Sequence, residues 1–408
     1  MTKKAPAATE HNGHRGSSRV WRVLLVLGIV LLAANLRPAF TALSPLIGEI
    51  RADTGISNGV AGLLTALPLL VFGLLSPIAP RLAGRFGMES VLLASMLVLA
   101  AGILLRSAGT VAALFLGTVI LGAAIAVGNV LLPSLVKREF PERAGLMTST
   151  YSTALAVSAA IAAGASFPIA DQVGVGWQVS LALWALPAFV AVLAWLPQIR
   201  GGRGANDYAR ASHGVGDLWR SALAWQVTLF MGLQSLGYYV TLTWLPAILQ
   251  EEAGMDASRA GWMLALAQAV GIASMFLAPV LAGRRPSQQG VVVAAVTLAG
   301  SGALGLLVAA GTVTALWVVL LGLGQGACFS LALTFFALRA PDSEHAATLS
   351  GMAQSVGYLL AAVGPFLFGV LRDATHAWSV PLALLFAVAV CLLITGLGAA
   401  RDAHVERS

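Results

Sequence analysis

The chain has 408 residues, 58% of them hydrophobic and only 10% charged, with 24 Lys and Arg against 17 Asp and Glu for a net charge of +7. So few charges cannot coat a water-soluble globule of this length, and the composition describes an all-α polytopic membrane protein. The basic excess follows from loop topology, so no nucleic-acid partner is needed to explain it.

Residues 1–20 form a basic tail before an apolar stretch, a pattern shared with secretory signals. Eleven further apolar runs and the unsuitable cleavage sequence Leu36-Arg37-Pro38 favour a retained cytoplasmic tail. The first predicted span, 23–48, holds Arg37 near its middle. At about 1.5 Å per residue Arg37 is about 22 Å from Arg22 and about 18 Å from Glu49, too far for easy snorkelling to either surface. A charge at that depth costs about 2.5–3.5 kcal/mol on insertion scales and normally faces a wet cavity, a partner or a substrate. No acidic residue lies deep in any apolar run, so an anionic ligand is the natural counter-ion. The competing reading is an arginine bonded to backbone carbonyls freed by Pro38. Asn35 and Asn129 add donors and acceptors, or serve as interhelical glue.

Spans at 57–80, 90–107, 110–136, 144–169 and 177–198 complete an N-terminal six-helix bundle, residues 21–200. A polar linker, 201–220, is a cytoplasmic tether. The C-terminal bundle, 221–400, has spans at 221–250, 258–282, 290–310, 313–338, 346–371 and 378–400, followed by a tail at 401–408. Gln234, Tyr238 and Tyr239 lie in the seventh span, Gln325 in the tenth, Gln354 and Tyr358 in the eleventh. Gln234 with Tyr238, and Gln354 with Tyr358, share helix faces at i and i+4. Such faces suit a small polar ligand, although helix packing competes at each position. Trp262 is expected at an interface, and Trp244 either there or in a cavity wall. Cys328 and Cys391 are expected to be packing residues.

Of the Lys and Arg residues, only Arg51, Arg106, Arg259 and Arg372 fall on the far side of these spans, with Arg37 between, which puts both termini in the cytoplasm. Shifting the chain by about 200 residues aligns Leu121-Gly122 with Leu321-Gly322, Pro141-Glu142 with Pro341-Asp342, and Thr148 and Gly164 with Thr348 and Gly364. Two parallel six-span repeats are the major facilitator architecture, in which the substrate sits between the halves.

The strings Asn35-Leu36-Arg37-Pro38, Ser44-Pro45-Leu46-Ile47, Gly62-Leu63-Leu64-Thr65-Ala66-Leu67-Pro68, Pro133-Ser134-Leu135-Val136-Lys137-Arg138 and Trp244-Leu245-Pro246-Ala247 resemble the cyanate permease and 2-nitroimidazole transporter family. The resemblance extends through Gln354-Ser355-Val356-Gly357-Tyr358 to Gly369-Val370-Leu371-Arg372. It departs from the superfamily at the loop after the second span, where Gly84 replaces the usual Asp and Met88-Glu89 a basic pair. The resemblance implies secondary transport of a small polar or weakly acidic solute such as cyanate or 2-nitroimidazole, by alternating access in the cytoplasmic (inner) membrane.

No lysine follows a glycine, so there is no phosphate-binding loop of the ATPase kind, and no cofactor or metal is expected. His11, His14, His213, His345, His376 and His404 map to tails, loops or span ends. Uniport, exchange or a proton carried on the substrate therefore replaces a titrating protein group in the expected mechanism. A membrane enzyme lacks any buried catalytic constellation here. A non-transporting receptor remains the other alternative. The expected partners are a small-molecule substrate and the bilayer, and the chain is expected to work as a monomer.

Overall fold

The structure is a computed structural model that describes residues 13–76, 78–140, 143–199, 218–284, 287–341 and 343–405. Residues 1–12 of the tail with His11, most of the linker with His213, and Pro141, Glu142 and Asp342 of the repeat lie outside the described residues.

Helices are expected because a bilayer offers no partner for backbone N–H and C=O groups, and a helix satisfies them internally. The first span, Trp21–Thr54, is broken into α1 (Gly13–Asn35), α2 (Pro38–Thr41), a 3₁₀ turn (Ser44–Leu46) and α3 (Ile47–Thr54). Pro38 and Pro45 lack the N–H that would continue the ladder. Leu36 N–H turns back to Ala33 O at 3.1 Å, and the carbonyl of Arg37 opens the next turn by accepting from Thr41 and Phe40. The break therefore falls at Arg37 itself.

There follow α4 (Asn58–Leu75), a short interfacial α5 (Ala79–Phe86), α6 (Met88–Arg106), α7 (Val111–Glu139), α8 (Ala144–Asp171), and a sixth span split into α9 (Gly176–Leu183) and α10 (Ala185–Ile199). The second half comprises α11 (Ala222–Ala253), α12 (Ala257–Gly283), α13 (Gln289–Ala309), α14 (Thr314–Leu338), α15 (Ser343–Thr375) and α16 (Ser379–Ala399). Eleven of the described helices are long and apolar enough to span a membrane. The twelfth span is α11, which has the length, at 32 residues, but is loaded with Gln, Tyr, Ser and Thr. Ser57, Thr110, Ser221 and Asp256 cap α4, α7, α11 and α12, each accepting from a backbone N–H three residues on.

The fold is twelve spans in two pseudo-symmetric bundles of six, and the repeat survives in packing detail. A Cβ on Gly102 would stand 2.7 Å from Leu121 N, and one on Gly302 would stand 2.6 Å from Leu321 N, so α6–α7 and α13–α14 touch at equivalent points. Each half has its own core, around Leu92, Leu135 and Trp195 in the first and Phe230, Leu331 and Phe335 in the second. A third core, with Leu64, Leu264, Trp244 and Phe368, joins the halves.

That joint lies toward the face opposite the chain termini and runs along α4–α15 and α8–α12. Gly62 admits the Pro365 carbonyl, which would be 2.2 Å from a Cβ there. Gly164 lies under the ring of Trp262, which is half exposed as an interfacial tryptophan would be. Trp244 is fully buried and donates Nε1–H to Pro365 O at 2.9 Å, so it is a packing residue and does not wall the large cavity. At the end of the joint Asp373 accepts from Asn58 N at 3.1 Å, Asn58 Nδ2 at 2.8 Å and Gly59 N at 2.7 Å, capping the N-terminus of α4 from the other half.

Arg37 is not the single charge withdrawn from water. Arg106, the last residue of α6, is buried because the broken first span folds over it. Arg339 is buried at the end of α14, where its Nε donates to Ala399 O at 2.8 Å and its Nη2 to Gln288. In the first turn of α6, Glu89 pairs with Arg138 inside the first half, and its carbonyl accepts from Trp195 Nε1 at 3.0 Å. Cys328 is buried, Cys391 is exposed, and both are free thiols.

Candidate functional site

On the termini side of the joint the halves separate around a cavity of about 280 Å³. Its walls come from the C-terminal third of α7, the first half of α8, the middle of α11 and α12, the middle and C-terminal half of α14, and the first half of α15. Most of these lining residues lie between the level of Arg37 and the termini side of the bundle.

Arg37 projects into this space from the break. Its Nη1 donates to Tyr238 Oη at 2.5 Å, and the guanidinium carbon lies 5.1 Å from the centroid of the same ring. The hydroxyl of Tyr238 in turn donates to Gln268 Oε1 at 3.1 Å. The alternative in which Arg37 serves carbonyls freed by Pro38 is not what the side chain does. No described carboxylate pairs with Arg37, and it is the one charged residue in the lining. The guanidinium therefore keeps donors for something placed in the cavity.

Eight of the nine polar residues named from the sequence line this space: Arg37, Asn129, Gln234, Tyr238, Tyr239, Gln325, Gln354 and Tyr358. Their polar groups differ in how far they are committed. Gln325 Nε2 donates to Thr241 Oγ1 at 2.8 Å and Gly237 O at 3.1 Å, and Gln354 Nε2 to Ser350 Oγ at 2.8 Å. Gln234 is nearly buried, with Nε2 donating to Ser235 Oγ at 2.7 Å. The Asn129 amide makes no hydrogen bond with a described residue and faces the cavity uncommitted.

Asn35 is the exception. It is 3% exposed and donates Nδ2–H to Leu31 O at 2.7 Å and Pro187 O at 3.1 Å, joining α1 to α10 away from the cavity. Two residues before Arg37 on a helix is about 200° around the axis, so the two side chains leave on nearly opposite faces.

Gln268 is a lining residue that the sequence reading did not name, although a lone amide in the apolar eighth span carries the same signal as Gln325. An aromatic wall was also missed. Tyr239 stacks edge-on to Tyr238 at 5.2 Å and faces Tyr358 at 6.4 Å, and Tyr358 meets Phe72 at 4.5 Å. One cation, several neutral amides and hydroxyls, and flat aromatic faces can hold a small planar or anionic solute. Among the described residues no cluster of His, Cys, Asp and Glu could hold a metal ion.

Residues 25–365 match the Major Facilitator Superfamily. The chain is 43% identical to the 2-nitroimidazole transporter of Escherichia coli over 94% of its own length and 97% of that protein. It is 31% identical to the cyanate transport protein of the same organism, over 86% and 90% of the two chains. The crystal structure of a D-xylose-proton symporter superposes with a TM-score of 0.75, covering 94% of this chain and 98% of that one at 14% identity, a likeness of fold alone.

Proposed function

Because the chain belongs to the major facilitator superfamily and is thus a multi-pass membrane transporter of small solutes, we propose that its solute is a small anion or weak acid of the cyanate kind, anchored by Arg37. The observation that carries this reading is the uncompensated guanidinium in the cavity between the halves. A guanidinium stays protonated and offers a rigid fork of donors, so a carboxylate, cyanate or similar anion both neutralises it and fills its free hydrogen bonds. Tyr238 and Gln268 hold the fork in place, and Asn129, Gln325 and Gln354 supply neutral contacts around it.

The basic loops argue that the termini are cytoplasmic, and a cavity facing the termini is then the inward-facing state. Rocking of the two halves about the site would close that side and part the α4–α15 joint. No described carboxylate or histidine lines the cavity, which favours uniport, exchange or a proton travelling on the solute.

The aromatic wall supports a second reading, export of a compact heteroaromatic such as 2-nitroimidazole, the compound for which the 43% identical relative is named. The deciding experiment is uptake of labelled cyanate into proteoliposomes containing the purified protein, against empty vesicles. Saturable uptake supports the anion reading. Absence of uptake, with saturable transport of labelled 2-nitroimidazole in the same vesicles, replaces it with the second.

A further inference from the structure

A second, smaller space of about 10 Å³ lies on the other side of the aromatic wall, enclosed by the break in the first span and by α4, α6, α7 and α11. Tyr239 lines both spaces, and Phe40 stands against it with ring centroids 6.2 Å apart. The two rings thus form a partition between the spaces.

Arg106 lines this chamber and is 1% exposed. Its Nη1 donates to Ala39 O at 2.6 Å, a carbonyl left open because Leu43 N–H bonds to Phe40 O instead. Its Nε and Nη2 are buried with no partner, and so is the hydroxyl of Ser44 in the same lining. The chamber's other hydroxyls are engaged: Thr118 donates to Leu114 O at 2.7 Å, Thr65 to Gly62 O at 2.9 Å, and Thr243 to Thr65 Oγ1 at 3.1 Å. No described carboxylate pairs with Arg106.

Bonding to Ala39 O explains one donor of the guanidinium and leaves its charge unanswered. An unpaired buried ion is heavily penalised even after relaxation. Water in the chamber would satisfy the spare donors and leave the charge unanswered, whereas an anion both fills the donors and offsets the charge at the cost of its own dehydration. A space near 10–15 Å³ admits a single water-sized particle, which rules out organic anions.

We propose that Arg106 and Ser44 form a second anion site, distinct from the Arg37 cavity, for one small monovalent inorganic anion of the halide class. The anion accepts from Arg106 Nε and Nη2 and from the Ser44 hydroxyl. It stands beyond the Phe40–Tyr239 partition, toward the face opposite the termini. The assignment is independent of which solute the large cavity carries.

The test is thermal unfolding of the purified full-length protein in sodium chloride against sodium gluconate at equal ionic strength, for wild type, Arg37→Gln, Arg106→Gln and Ser44→Ala. Chloride is expected to raise Tm saturably in wild type and Arg37→Gln alike and to lose that effect in Arg106→Gln. Ser44→Ala removes one charge-assisted hydrogen bond and should require about tenfold more chloride for the same shift. Should Arg106→Gln fail to fold, Ser44→Ala decides alone. Equal Tm values in the two salts, or a chloride response unaltered by Ser44→Ala, overturn the proposal and leave water as the occupant. A response abolished by Arg37→Gln also overturns it, because the ion then lies in the large cavity.

Discussion

Arg37 and Tyr238 are 201 residues apart in sequence and 2.5 Å apart in space. The separation is close to the repeat shift of about 200, and Pro45 and Pro246 share it. Arg37 comes from the break in the first span of one half and Tyr238 from α11, the first span of the other, so this hydrogen bond joins the two halves at the cavity.

Replacing Arg37 with Gln removes the cavity's charge while keeping a side chain that can bond Tyr238. Losing a hydrogen bond to a charged group costs about 1.5–3 kcal/mol, so uptake of an anionic solute should fall by about tenfold or more at low concentration. Proteoliposome uptake checks this, with size-exclusion chromatography to show that the variant is folded. Unchanged affinity would return Arg37 to a structural role.

Tyr238→Phe keeps the ring under the guanidinium and deletes the hydroxyl between Arg37 and Gln268. A neutral hydrogen bond contributes about 1 kcal/mol, which corresponds to about fivefold weaker binding. Gln268→Leu should produce a similar loss, and the double variant less than the sum, because both act on one chain of bonds. Competition binding in detergent would measure the coupling.

Asn35→Ala should behave oppositely. Its two acceptors belong to α1 and α10, and interhelical bonds of this kind average about 0.6 kcal/mol. A lowered Tm with an unchanged apparent KM is the expected result.

Asp373→Asn removes the charge that one half places at the start of α4 in the other. Charge at a helix N-terminus is worth about 0.3–1 kcal/mol and more when partly buried, so the joint should open up to about fivefold more often. In a background free of native cysteines, Thr243→Cys should react correspondingly faster with an impermeant maleimide applied from the face opposite the termini. Equal labelling rates would show that the cap does not hold that face shut.

Transport of a permanently charged anion should vary little between about pH 6 and about pH 8, since Arg37 does not titrate there and no described carboxylate or His lines the cavity. For a weak acid, the rate should instead follow the ionised or neutral fraction of the solute. Uptake across a range of external pH, with internal pH clamped, separates these outcomes. A steep dependence for the permanent anion would point to a titrating protein group.

The spans were legible because lipid demands long apolar runs, and most of the lining was legible because an amide or phenol inside such a run is unusual. Gln325 and Gln354 were found this way. Asn35 was misplaced by proximity in sequence, where helix geometry already put it on the far face from Arg37. Tyr239 was noticed, but its role as a partition depends on Phe40 approaching from the other half. Arg106 was assigned to a loop because it ends an apolar run, and only the break in the first span, which no count of apolar residues reveals, explains why that end is covered.

The two halves share one blueprint, and the equivalent contacts at Gly102 and Gly302 show how closely it has been kept. Their chemistry is divided unequally: the first half contributes the cavity's cation, the second most of the neutral groups that surround it. Under the function proposed above, a solute held by Arg37 on one side and by Gln325 or Gln354 on the other would fasten the bundles together. Empty and loaded carriers would then differ in cohesion, and recognition of the cargo would also be the act that draws the halves together.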